Sequence, residues 1–143
     1  HVEAAAVHAE LFRQHAALYR PRLRATIETG TLIPSVAYLQ AQRIRRQFRQ
    51  DMGQLFQRVD FLLAPAATGP APRGLTSTGD ASFNSPSSFS GLPAMTIPSG
   101  LSAGGLPLAI QFMGPAFAED RLLAAARWSE GTLNLNLKPL IAS

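Results

Sequence analysis

Serine hydroxyls are the groups in this sequence best placed by type to do covalent chemistry, and they crowd together at Ser87 and Ser88 in the run SFNSPSSFSG. A serine becomes nucleophilic only beside a base, and residues 81–118 contain no charged side chain and no histidine. Ser87 and Ser88 therefore read as loop serines that bond to local backbone. The three histidines recur at His1, His8 and His15. A spacing of seven puts successive imidazoles on one side of a helix but about 10.5 Å apart along it, too far for two of them to ligate one zinc at about 2 Å. The acids are scattered, Lys138 is the one lysine, and cysteine is absent. That excludes thiolate catalysis, disulfide staples and Cys-based zinc sites. No nucleophile elbow, Walker loop, H-E-x-x-H or G-x-G-x-x-G pattern is present. Neither a metal nor a cofactor is expected, and no catalytic residue can be assigned within the chain.

The elements that would position these groups change character near residue 60. Glycine and proline total 22, and 16 of them fall between Ala64 and Pro115. Upstream, Val7, Leu11 and Leu18, with His15 between, fall on one helical stripe that Pro21 breaks or restarts, and a second helix is expected to end at Gly30. A third begins after Pro34, where Ala37, Ala41, Ile44, Phe48, Met52, Leu55 and Val59 mark a face that should enter a core. Downstream, strands are expected at Phe61 to Ala64, Ala94 to Ile97 and Leu106 to Met113, the last two joined by the turn-rich LSAGG. Gln111 sits in otherwise apolar surroundings, so a buried position would oblige its amide to find partners. A final helix should open at Glu119 and stop at Gly131, followed by a short edge strand in TLNLNLKPL. This gives a helical part (1–58), a strand, loop and helix part (59–130) and a tail (131–143).

The net charge of +4 arises entirely in the first part, where nine arginines face five acids, against four basic and four acidic residues from 61 onward. Arg43, Arg45, Arg46 and Arg49 form the densest basic cluster. A solvated helix face explains it better than a nucleic-acid strip, which would mix in lysines and exposed aromatics. The long uncharged run is interrupted by five prolines and cannot cross a bilayer as a helix. The opening residues show no secretory signal pattern, and the absence of cysteine points to the cytoplasm as the expected compartment. Its start at His1 suggests a piece of something longer.

The segments VDFLLAPAATGPAP (59–72), TGDASFNSPSSFSGLPAMTIPSG (78–100) and GLPLAIQFMGPAFAEDRLLAAARWSE (105–130), in that order, resemble the C-terminal part of an amidase signature family enzyme. Upstream, Tyr38, Ala41 and Arg45 match the family's Y-x-x-A-x-x-x-R helix. The resemblance covers residues 19 to 130. It implies an α/β fold, the C-terminal portion of one amidase domain with a mixed β-sheet flanked by helices.

It also implies hydrolysis or transfer of amide groups by a Ser nucleophile, a second Ser in a cis peptide and a Lys base, all held in the family's N-terminal part. This chain would then contribute the loop before G-L-P, with Ser82, Phe83, Asn84 and Ser88 as the residues touching substrate. Ser82 stands where the A subunit of the tRNA-dependent amidotransferase has an amine-reading Asp, and Ser88 where the family commonly has Asn. Both departures favour a less specialised amidase. The implied partners are a small amide substrate, the N-terminal part of the same enzyme and, as an option the sequence leaves open, a second copy of the chain; nucleic acid and membrane are not expected. Two rival readings are a basic helical module that binds RNA or an acidic partner, and a remnant that serves only as an interaction domain.

Overall fold

The computed structural model describes residues 1–135. Backbone packing divides them into two compact units, His1–Arg46 and Gln47 onward. Helix α1 (Val2–His15) carries Glu3 in its first turn and Arg13 in its last, the charge placement that complements the helix dipole. A short 3₁₀ turn at Ala16–Leu18 follows, and α2 (Pro21–Leu32) starts with proline at its first position, where the missing N–H costs nothing. Helix α3 (Ser35–Leu55) begins in the first unit and continues into the second.

Gly30 does not end α2. It is buried inside the helix, and a Cβ built there would fall 2.8 Å from the Ala5 Cβ. The helix stops instead at Ile33, which is extended (φ −72°, ψ 122°) ahead of Pro34, as the ring of a following proline demands. The start of α3 turns Tyr38, Gln42 and Arg45 toward α1, where all three reach Glu3 Oε1, at 3.4, 3.3 and 3.7 Å. Two of the Y-x-x-A-x-x-x-R positions thus act as scaffold.

The apolar stripe lies about 100° round the helix from these residues, and it is not the buried face that was expected. Met52 is buried and Phe48 half-buried against Phe89, but Ala37, Ala41, Ile44, Leu55 and Val59 are exposed. The face of α3 used within the first unit is the polar one that meets Glu3, which leaves the upper stripe uncovered.

The second unit holds β1 (Leu62–Pro65), β2 (Ala94–Leu101) and β3 (Pro107–Met113) in the order β1-β3-β2, both pairings antiparallel. Strand β2 runs past the expected end at Ile97. Pro98 still pairs with Ala109, and a bulge before Gly100 absorbs the irregularity. Pro98 is tolerated because, among the described strands, β2 lies at the sheet edge. Between β1 and β2 a helix that the sequence did not announce, α4 (Ser85–Ser90), ends at Gly91 with φ 71°. There the N–H groups of Gly91 and Leu92 both donate to the Ser87 carbonyl, an end that requires the left-handed conformation glycine adopts freely.

Helix α5 (Glu119–Leu133) packs on β2 and β3 and buries Leu122 and Ala126, which join Ile97 and Met113 in the core. It runs through Gly131 rather than stopping there. Asn134 closes it in the left-handed conformation, its N–H donating to the Glu130 carbonyl. Thr132 and Leu133 are therefore helical, and the rest of the expected edge strand, from residue 136, lies outside the described residues.

Candidate functional site

Residues 66–84 form the long connection between β1 and α4. At its start the Ala66 N–H extends the ladder to the Ala109 carbonyl at 2.9 Å. At its end Asp80 Oδ1 accepts the Ser82 N–H at 2.8 Å, and the Ala81 carbonyl accepts those of Asn84 and Ser85, each at 3.0 Å. An Asp-x-Ser turn of this kind is set by the aspartate side chain mimicking backbone, and this role of Asp80 was not singled out from the sequence.

The turn delivers Ser82 and Phe83 to a cleft of about 580 Å³, whose other walls are Leu62, Leu63 and Ala64 of β1, Pro86 of α4, and Gln111 and Met113 of β3. Phe83 also forms part of a neighbouring cleft of about 690 Å³, bounded by residues 65–72, Asp80 and the start of β3. Of the four residues expected at the substrate, the structure brings Ser82 and Phe83 together on one wall. Asn84 and Ser88 are exposed and line neither of these clefts. Asn84 stands at the start of α4 without a side-chain cap, and its carbonyl accepts the Ser88 N–H at 3.2 Å.

Gln111 is 6% exposed, and its Nε2 donates to the Phe83 carbonyl at 3.0 Å. The partner that a buried amide in an apolar strand must find is thus the backbone of the loop that carries Phe83. The sequence signalled the requirement but not the partner, which lies 28 positions away.

The serine pair behaves as its surroundings dictate. Ser87 is buried and its Oγ donates to the Asn84 carbonyl at 3.0 Å, whereas Ser88 is exposed; the neighbouring Ser90, fully buried, donates to the Pro86 carbonyl at 2.7 Å. These bonds satisfy helix carbonyls rather than engage a base. They do sit in a short helix rather than the expected loop, because Pro86 near the helix start fixes a helical φ and Gly91 supplies the stop. The cleft itself holds no ionisable side chain. Its chemistry is a serine hydroxyl, an amide and apolar walls, which can bind and orient a small polar molecule but cannot transfer a proton.

Among the described residues no group of three His, Asp or Glu could hold a metal ion. His8 Nδ1 is bonded to the Tyr19 hydroxyl at 2.9 Å. No described helix is long and apolar enough to cross a membrane.

A small antiparallel sheet with helix α5 against it, and a cleft between the sheet and the loop that carries Ser82 and Phe83, make up an α/β arrangement. The Amidase family model matches residues 2–123, and the chain belongs to that family. It is 42% identical over 95 residues to the A subunit of glutamyl-tRNA(Gln) amidotransferase from Neisseria meningitidis serogroup C, covering 62% of this chain and 20% of that protein. It is 34% identical over 134 residues to a putative amidase, AmiD, of Mycobacterium bovis, covering 87% of this chain and 28% of the relative. A crystal structure of an amidase superposes with a TM-score of 0.82 at 24% identity, over 92% of this chain and 33% of that one, a likeness of fold. The chain thus spans between a fifth and three tenths of the curated relatives it matches. The family match runs through the basic helix, so the arginine cluster needs no separate binding-module explanation.

Proposed function

We propose that this chain is the C-terminal part of an enzyme that hydrolyses carbon–nitrogen bonds of small amides, and that it supplies a binding wall while nucleophile and base reside in the remainder of the protein. The observation that carries this reading is the cleft formed by Ser82, Phe83 and Gln111, built on a chain of the amidase family yet free of any side chain able to act as a base. Ser82 and Phe83 contact the substrate directly. Asn84 and Ser88 reach it from the exposed side of α4, where the rest of the protein closes over them. The chain by itself is inactive, since Ser87 and Ser88 lack an activating partner, residues 81–118 containing no charged side chain and no histidine, and Ser87 donates its hydroxyl proton to the Asn84 carbonyl. A chain free of cysteine suits the cytoplasm.

The test is turnover of a panel of simple amides, such as benzamide and propionamide, by the full-length protein containing this chain. Ammonia release well above the buffer rate supports the reading, and its absence across the panel refutes it. The identity to the amidotransferase favours a second reading, in which the full-length protein transfers an amide group to glutamyl-tRNA(Gln). Ser82 speaks for the simple amidase, because a serine hydroxyl lacks the charge that would select an amino group. Amidation of glutamyl-tRNA without hydrolysis of simple amides would reverse that choice.

A further inference from the structure

Gln111 is out of character for its position. On β3, the middle strand of the sheet, it is paired with Ala64 on one side and Thr96 on the other, so its backbone serves the ladders and only the side chain is available for other work. That side chain stands among Leu62, Ala64 and Met113, where an aliphatic residue would avoid the cost of burying an amide. What glutamine does here that leucine cannot is donate to the Phe83 carbonyl. The bond falls near the end of a connection of nineteen residues (66–84) without regular structure, at the residue that lines both clefts.

We propose that Gln111 is a positioning residue: by clamping the Phe83 carbonyl to the central strand it holds the Ser82 and Phe83 wall at the distance from the sheet that an amide substrate requires. The proposal rests on the amide-hydrolase reading for its substrate, but the clamp can be tested without it. Arg73 is the lone basic residue between Arg58 and Arg121 and is exposed, so a change in the rate of tryptic cleavage at Arg73 reports how firmly residues 66–84 are held.

In the full-length protein, Gln111→Met keeps the shape and removes the donor. Cleavage at Arg73 should become about tenfold faster, as expected for loss of a buried hydrogen bond. KM for benzamide should rise by a similar factor while kcat changes little. Gln111→Glu should restore the clamp only while its carboxyl is protonated. Burial raises the pKa of such a group, and the cleft contains no other ionisable side chain to oppose this. Its Arg73 cleavage, measured relative to the unsubstituted protein, should therefore be near unity at about pH 6 and about tenfold faster at about pH 8.5.

Unchanged cleavage at Arg73 in Gln111→Met overturns the proposal. If that variant opens at every site together, the glutamate variant decides: equal relative rates at the lower and the higher pH overturn it, and pH-dependent opening upholds it. The expected cleavage pattern in a protein that hydrolyses no amide would keep the clamp and remove the amidase reading.

Discussion

Gly30 of α2 and Ala5 of α1 meet where no side chain on Gly30 would fit: a Cβ on Gly30 would lie 2.8 Å from the Ala5 Cβ and 2.7 Å from the His1 carbonyl carbon. The close approach of these helices depends on that missing methyl. Gly30→Ala gains about 1 kcal/mol in helix propensity, yet it must displace backbone, and overpacking of this kind costs about 1–3 kcal/mol. The net result should be a loss of about 1 kcal/mol. Gly53, in the exposed part of α3, has nothing within 4 Å of its would-be Cβ, and Gly53→Ala should stabilise by about 0.5–1 kcal/mol. Thermal melts of the two variants of the full-length protein should shift in opposite directions. A Gly30→Ala melting point at or above that of the parent would contradict the packing described.

The same pair shows what the sequence could and could not disclose. A glycine that ends a helix and one that admits a neighbouring helix are the same letter, and only the partner, far upstream at Ala5, separates them. The strands were legible because proline and glycine bracket short apolar runs, although Pro98 hid the continuation of β2 and Asn134 replaced Gly131 as the stop of α5. Helix α4 is six residues long, too short to show a period, and its serines carry no helical signal. In the candidate site, Ser82 and Phe83 were visible through their place before G-L-P. The bond from Gln111 was not, since a long-range hydrogen bond leaves no local pattern.

The arginine face of α3 should not bind nucleic acid. Arg43, Arg46 and Arg49 are exposed, but exposure on an amphipathic helix is the ordinary state of such residues. Phosphate binding would weaken steeply as salt rises. Fluorescence anisotropy with a labelled single-stranded RNA at physiological salt should show no association. Binding that disappears in Arg46→Ala and Arg49→Ala would overturn this.

Residues 1–143 expressed alone should be marginally stable or self-associating. Val36, Leu39 and Ile44 on α3 are 74%, 57% and 58% exposed, and Leu63 on β1, an edge among the described strands, is 61% exposed. Open strand edges and apolar faces recruit other chains. Size-exclusion chromatography should show aggregate or oligomer, with recovery of a defined complex on co-expression with the rest of the protein. A monomer that unfolds cooperatively would mean that this chain is a domain in its own right.

The central proposal, that this chain provides a binding wall while the reacting groups lie in the rest of the protein, is tested most directly by mapping where a reactive fluorophosphonate attaches to the full-length protein. Mass spectrometry of the labelled protein should find the adduct on one serine outside the 143 residues of this sequence, and this chain treated alone should carry none. An adduct on Ser82, Ser87, Ser88 or Ser90 would place the nucleophile inside this chain and contradict the account.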